Sequence, residues 1–181
     1  MATEPSSERT LNQVHGRQLS WHDARKRLEE PEFGRTYWLS TIRPDGRPHV
    51  MPLIGLWQDD AMYFITGPRT RKGRNLAADG RSVLTAHSPT LPSVDLVLDG
   101  DAGRVTDEDE LRAVADGYRS KLNWPVEVKD GRFDGPNAPS AGPPPYDLYR
   151  FRPRIAFGLP GLAGTDETTN ADRINPVRWE F

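Results

Sequence analysis

Between residues 36 and 105 the sequence is a succession of short runs rich in aromatic and β-branched residues, separated by turns. The runs that we interpret as strands are residues 36–43, 47–57, 61–66, 81–87 and 93–105. Pro44, Asp45 and Gly46 form the turn between the first two runs, and two prolines in the second run predict a strand with a free edge or a bulge. Short strands joined by tight turns predict an antiparallel barrel that is mainly β with a few helices.

Three helices are predicted around these strands. Ser20 can cap the first helix, which ends at Pro31. Residues 71–79 form the second helix, and Gly80 is expected to terminate it. Thr106 can cap the third helix, whose first turn is acidic, as the positive end of a helix dipole prefers. The buried stripe of the third helix is expected to consist of Leu111, Val114, Ala115, Tyr118 and Leu122.

The length of 181 residues fits one domain. We expect a loosely attached segment over residues 1–19 and a single domain over residues 20–181. Residues 129–146 contain five prolines and no periodic pattern, so they predict a long loop that is either functional or mobile. The strand pattern resumes at residues 148–159.

Composition excludes several classes of protein. The chain has 24 Lys and Arg against 26 Asp and Glu, and this balance argues against a surface built for nucleic acid or for an acidic membrane. It has no cysteine, which excludes disulfides, thiol nucleophiles and cysteine-based metal sites, and its four histidines lack metal-ligand spacing. The first residues are polar and no run of about 18 apolar residues occurs, so we expect a cytoplasmic chain without a membrane partner.

Positive charge is concentrated at the start of the second predicted helix. Residues 69–81 contain five basic residues and one acidic residue, in a chain whose net charge is −2. Free N–H groups at a helix start, the hydroxyl of Thr70 and the cations of Arg71 and Lys72 meet at this point. This combination binds a phosphate monoester. A solvated helix face is the alternative interpretation, and the residues alone do not separate the two.

The order of these elements resembles a known family. Residues 34–105 begin with a strand, a Pro-Asp-Gly turn and a second strand. An aromatic strand ending in Thr66 follows, and then come the run Thr70-Arg71-Lys72 and the strand Arg-Ser-Val-Leu-Thr-Ala. This order is similar to the flavin-binding split β-barrel of the pyridoxamine 5′-phosphate oxidase superfamily, in particular to its actinobacterial flavin and deazaflavin oxidoreductases. The resemblance implies a six-stranded Greek-key split barrel, and an oxidoreductase whose bound cofactor carries the hydride chemistry.

The resemblance also implies which residues hold the cofactor. The Thr-Arg-Lys run corresponds to the grip on the cofactor phosphate, and the end of the aromatic strand lies beside the ribityl chain. The strand at residues 50–52 corresponds to the one whose backbone lies along the isoalloxazine ring. Family members are homodimers with two cofactor sites at the interface, so the ring of Trp179 is expected to reach the site of the second protomer. The residues expected at the cofactor are Val50, Met51, Pro52, Thr66, Thr70, Arg71, Lys72, Asn75 and Trp179.

The expected cofactor is the deazaflavin coenzyme F-420 or FMN. Arg69 and Arg74 lie beyond the minimal phosphate grip and suit the longer anionic tail of the deazaflavin, which favours F-420. The residues by which pyridoxamine phosphate oxidases recognise their substrate have no equivalent here, so vitamin B6 chemistry is not expected. His49 lies in the ring-facing strand and is either a contact for cofactor or substrate, or a structural residue.

Three functions are compatible with these residues. The first is an oxidoreductase that transfers a hydride between the cofactor and a small organic substrate. The second is a carrier of flavin, deazaflavin or haem that has the same fold and performs no turnover. The third is a single-stranded nucleic-acid binder, which the net charge and the clustering of arginines at one helix start disfavour.

Overall fold

The computed structural model describes residues 3–12, 16–29, 36–90, 92–161 and 174–181. Pro31 and one of the four histidines, His15, lie outside these residues. The described strands are β1 Ser7–Thr10, β2 Tyr37–Ile42, β3 Pro48–Leu53, β4 Gly55–Gln58, β5 Ala61–Thr66, β6 Arg81–Ser88, β7 Val94–Arg104, β8 Glu127–Lys129, β9 Arg132–Asp134, β10 Asp147–Pro160 and β11 Val177–Glu180. The described helices are α1 Trp21–Glu29, α2 Arg71–Ala78 and α3 Glu108–Leu122.

Nine of these strands form one antiparallel sheet that does not close on itself. Seven of them lie in the order β1-β11-β10-β7-β6-β2-β3. Strand β5 joins this path by pairing with β10, and β4 pairs with the other edge of β5. The long strand β10 therefore pairs with β5, β7 and β11, and it connects the two parts of the sheet. This arrangement confirms the predicted split β-barrel, although it contains more strands than the six that the resemblance implied.

The single strand predicted over residues 47–57 is wrong, because the chain changes partners at Ile54. Strand β3 pairs with β2, whereas β4 pairs with β5. Gly55 permits the close approach after the break, since a Cβ atom there would lie 2.5 Å from the sulfur of Met62. Strand β3 ends the sheet path, so its two prolines fit the expected free edge.

The core consists of two apolar clusters that share strand β5. All six residues of β5 are buried, and alternate side chains enter opposite clusters. Met62 and Phe64 face the cluster that contains α1 and three tryptophans, Trp21, Trp57 and Trp179. The opposite face of β5 packs against α3. One helix therefore covers each side of the strand that leads to α2.

The predicted helices are present, but two of their ends differ from the prediction. The hydroxyl of Ser20 accepts a hydrogen bond from the N–H of Asp23, which confirms the cap of α1. Asp107 and not Thr106 caps α3, since its carboxylate accepts from the N–H of Glu110. Gly80 is not a left-handed terminator of α2. It is required because a Cβ atom there would lie 2.5 Å from the carbonyl oxygen of Ala102.

Two segments expected to lack regular structure contain strands. Within residues 1–19, β1 pairs with β11, so this part of the N-terminal segment belongs to the sheet. Within residues 129–146, β9 pairs with β8 in a short hairpin, and the rest of the segment is held by Tyr146. The loop expected over residues 129–146 rested on missing local periodicity, which strands of three residues do not show. Strand β1 pairs with β11, which is distant in sequence, so no local pattern could reveal it. None of the helices in the described part of the chain is long and apolar enough to cross a membrane.

Candidate functional site

Helix α2 begins at a tight turn formed by residues 67–70. The hydroxyl of Thr70 accepts a hydrogen bond from the N–H of Gly73 and donates one to the carbonyl of Gly67. It also lies 2.9 Å from the hydroxyl of Thr66, which is fully buried. Thr70 is therefore the cap of α2, and its hydroxyl is already engaged. The helix geometry leaves the N–H groups of Arg71 and Lys72 without an acceptor inside the helix.

Lys72 is the most unusual residue of this turn. Its side chain is 2% exposed, and its amine has no hydrogen-bond partner among the described residues. Burial lowers the pKa of the Lys72 amine to about 8. A buried cation without a partner costs free energy, so such a group is usually found where a ligand supplies the missing negative charge.

Asn75 connects α2 to the hairpin of β2 and β3. Its side-chain N–H₂ donates to the hydroxyl of Thr41 at 3.0 Å, and that hydroxyl donates to the carbonyl of His49 at 3.2 Å. Asn75 is fully buried, yet its amide oxygen has no partner among the described residues. The helix therefore presents an unused hydrogen-bond acceptor as well as an unused cation.

His49 and Arg43 bring further unpaired groups from the same hairpin. Nδ1 of His49 and Nε of Arg43 are buried and have no partner in the part of the chain that the structure describes. Burial, and then the positive charges of Arg43, Arg71 and Lys72, lower the pKa of His49. His49 is therefore neutral near pH 7 and has a ring nitrogen available for a ligand.

The cations around α2 differ from those elsewhere on the protein. Many arginines of the described surface pair with a carboxylate, as Arg81 does with Asp79 and Arg112 with Glu108. Arg43, Arg71 and Lys72 have no carboxylate partner among the described residues. A group of unpaired cations at a helix start attracts anions.

A cleft of about 400 Å³ opens beside this turn. It lies between residues 67–70 and the prolines at 143–145, and the side chains of Arg69 and Arg132 line it. Arg132 also contacts the buried carboxylate of Asp147 at 3.0 Å, whereas the guanidinium of Arg69 has no carboxylate partner among the described residues. The cleft extends the positive region from the start of α2 toward the proline-rich segment.

The residues predicted to lie along the cofactor ring occupy both faces of β3. Strand alternation places Met51 on the same face as His49, toward α2, and Val50 and Pro52 on the opposite face. Val50 is 51% exposed and lies near Trp38, which is 49% exposed. The outward face of this edge strand is therefore apolar and uncovered in the single chain.

The structure does not place Trp179 at this site. The residue is fully buried, its ring lies 5.5 Å from the ring of Trp21, and its indole N–H donates to Glu8 at 2.8 Å. It cannot reach a site on a second protomer without leaving the core. The structure does bring together the predicted residues at the turn and on α2. They are Thr66, Thr70, Arg71, Lys72 and Asn75.

Sequence reasoning missed Thr41, Arg43 and Arg132 as site residues. They lie far from α2 in sequence and only the pairing of the strands brings them near it. Arg43 precedes the Pro-Asp-Gly turn, which was the available signal that it lies at the end of a hairpin. Among the described residues no group of three or more His, Asp or Glu side chains has the composition of a metal site.

Comparison with known proteins identifies the family of the chain. Residues 22–156 match the family model described as pyridoxamine 5′-phosphate oxidase. No curated protein matches the chain. A haem-binding protein from Mycobacterium smegmatis is 18% identical, with a TM-score of 0.56, and the match covers 81% of this chain and 57% of that protein.

Two further solved structures share the fold. A FAD-binding protein from Mesorhizobium loti is 23% identical, with a TM-score of 0.56, and the match covers 78% of this chain and 95% of that one. A structure described as an F-420 reductase is 22% identical, with a TM-score of 0.50, and the match covers 72% and 93% of the two chains. These likenesses concern the fold, whereas the family match covers most of the sequence. The chain belongs to the pyridoxamine 5′-phosphate oxidase family.

Proposed function

We propose that the protein binds a phosphate-bearing flavin-type cofactor at the start of α2 and transfers a hydride between that cofactor and a small organic substrate. The observation that carries this proposal is the buried, unpaired amine of Lys72 beside the N–H groups that begin the helix. A phosphate monoester there would neutralise the positive charges of Lys72 and Arg71 and accept hydrogen bonds from the free N–H groups. The residues present therefore fit the phosphate of such a cofactor.

The other unpaired groups have roles in the same proposal. The amide oxygen of Asn75 would accept a hydrogen bond from a hydroxyl of the ribityl chain, and the neutral ring of His49 would contact the cofactor or the substrate. The free edge of β3, with Met51 on the side of α2, would face the ring. When bound, the cofactor supplies the hydride chemistry, and the protein binds and orients it.

Coenzyme F-420 is favoured over FMN within this proposal. Arg69 and Arg132 line a cleft that begins at the phosphate-binding turn, and FMN has no further negative charge to place there. An anionic tail that continues past the phosphate would use both guanidinium groups. Two structural neighbours are described as an F-420 reductase and a FAD-binding protein, which supports a flavin or deazaflavin cofactor.

We also propose that the functional unit is a homodimer. The uncovered apolar side chains of Trp38, Val50 and Ile54 are about half exposed, which is unusual for a monomer surface. A second copy placed against this face would bury them and enclose the ring-facing strand. Sedimentation velocity tests this point, since Trp38→Glu should convert a dimer into a monomer, and a monomeric unmodified protein would contradict it.

Titration with FMN and coenzyme F-420 side by side tests the proposed function. Protein freed of cofactor is titrated with each compound, and bound reduced cofactor is then mixed with a panel of organic acceptors. We expect tight binding, stronger for F-420, and reoxidation by at least one acceptor. Binding without reoxidation would favour the carrier function, which the haem-binding neighbour also represents. Binding of neither compound would overturn the proposal.

A further inference from the structure

A cavity of about 380 Å³ lies at the end of β5 that is far from α2. Two aromatic residues, Trp21 and Phe181, line it, and Asp59, Asp60 and Arg152 bring charged groups to it. The six residues of β5 span about 20 Å, so this length of strand separates the cavity from the turn that begins α2. The volume is that of a cavity that holds a small molecule.

The hairpin of β4 and β5 brings two carboxylates to the cavity. Asp59 and Asp60 form its two-residue turn, and both have a left-handed backbone, with φ of 50° and 58°. The carboxylate of Asp60 is engaged, since it accepts from the N–H of Thr3 at 2.6 Å and pairs with Arg25 at 3.1 Å. The exposed carboxylate of Asp59 has no cationic partner among the described residues, so it is available to a bound cation.

Arg152 brings an unpaired cation to the same cavity. Its exposed side chain, on β10, forms no ion pair with the described residues, whereas Arg154 on the same strand lies 3.7 Å from the carboxylate of Asp101. Arg152 and Asp59 line one cavity but do not pair with each other. A molecule that carries both a negative and a positive charge would pair with both groups at once.

Trp21 adds a hydrogen-bond donor and an aromatic wall. The residue is 2% exposed, and its indole N–H has no acceptor in the part of the chain that the structure describes. The ring of Phe181 packs edge-on against it at a centroid distance of 4.7 Å, and the N–H of Phe181 donates to the carbonyl of Arg154 at 3.0 Å. A buried donor without an acceptor costs free energy, which an oxygen atom of a bound molecule would recover.

We propose that this cavity is a second binding site, and that its ligand is a zwitterion with an aromatic body, such as a free aromatic amino acid. The ammonium group of the ligand pairs with Asp59, and its carboxylate pairs with Arg152 and accepts from the indole N–H of Trp21. The aromatic part of the ligand packs against Phe181. The cavity shares no residue with the proposed cofactor site, so this proposal does not depend on the proposed function.

Calorimetric titration of the full chain with three probes tests this proposal. L-Phenylalanine carries both charges, 2-phenylethylamine carries only the ammonium group, and 3-phenylpropionate carries only the carboxylate. We expect L-phenylalanine to bind with a Kd below about 1 mM. It should bind at least about tenfold more tightly than either analogue, because each analogue lacks one charge-assisted contact.

Two variants and their matched controls locate the bound probe. Asp59→Asn keeps a residue that tolerates the left-handed backbone, and Arg152→Gln keeps a long polar side chain. Each should weaken binding of L-phenylalanine at least about fivefold, since each removes one charged contact. Asp130→Asn, at another exposed left-handed position with φ of 52°, and Arg154→Gln, on the same strand as Arg152, should leave the Kd unchanged.

Three results would overturn the proposal. The first is equal affinity for the three probes, or no binding of L-phenylalanine in the millimolar range. The second is an unchanged Kd in both Asp59→Asn and Arg152→Gln. The third is loss of L-phenylalanine binding in the double variant Arg71→Ala, Lys72→Ala, which would place the probe at the start of α2.

Discussion

Lys72 shows how one residue connects stability to function. Its amine is buried without a partner in the described part of the chain, although many carboxylates there pair with other cations. Holding a proton on this amine in the folded protein costs about 3 kcal/mol near neutral pH, given that burial lowers its pKa from 10.5 to about 8. We infer that the cost is retained because the cation is needed for ligand binding.

Lys72→Met should therefore stabilise the protein without cofactor and weaken cofactor binding. Methionine has a similar length and fills the same space without a charge, so the free energy of unfolding at pH 7 should rise by about 1–3 kcal/mol. Cofactor affinity should fall at least about tenfold, because a charge-assisted contact to phosphate is lost. Chemical denaturation and fluorescence titration measure the two effects. A destabilised variant with normal affinity would contradict this account.

The pH dependence of this stabilisation has a defined sign. The pKa of Lys72 is lower in the folded protein than in the unfolded chain, so the unmodified protein gains stability as pH rises from about 8 to 10.5. Lys72→Met lacks this gain. The stability difference between the two proteins should therefore be largest at pH 7 and should shrink toward pH 10. A difference that stays constant over this range would show that the charge of Lys72 carries no cost.

At the scale of elements, α2 and α3 begin with similar caps but only α2 begins at the site. The side chain of Thr70 accepts from Gly73, and the side chain of Asp107 accepts from Glu110. Thr70→Val and Asp107→Ala should each lower the free energy of unfolding by about 1 kcal/mol. Only Thr70→Val should weaken cofactor binding, because it loosens the first turn of α2. Equal cofactor affinity in the two variants would contradict the placement of the site.

Local sequence pattern predicted the elements better than their connections. Ser20 capped α1 as expected, and the strands of residues 61–66 and 81–87 formed, because propensity and alternation act over a few residues. The change of partner at Ile54 and the role of Gly80 depend on contacts with Met62 and Ala102, which no local pattern contains. Long-range strand pairing therefore changed the predicted element boundaries but not the predicted fold class.

At the scale of the whole molecule, the site combines a predictable part and an unpredictable part. Arg71 and Lys72 are adjacent in sequence, so the charge cluster and its helix start were visible at once. Thr41 and Arg43 join the site only because β2 packs beneath α2, and Trp179 leaves it because β11 enters the core. The sheet order thus decides which distant residues lie together at the proposed anion site.

The most direct test of the account is whether the start of α2 recognises phosphate. FMN and riboflavin differ only in the phosphate, so the ratio of their Kd values isolates its contribution. The unmodified protein should bind FMN at least about a hundredfold more tightly, since two charge-assisted contacts contribute about 1.5–3 kcal/mol each. If F-420 is the tighter ligand, F-420 and its phosphate-free deazaflavin core replace the two flavins.

The decisive measurement is this ratio in the double variant Arg71→Ala, Lys72→Ala, with Arg112→Ala, Lys121→Ala on α3 as the matched control. We predict that the ratio falls at least about tenfold in the first variant and is unchanged in the second. A ratio that survives the loss of Arg71 and Lys72, or a ratio near unity in the unmodified protein, would contradict the central claim that α2 begins at a phosphate site.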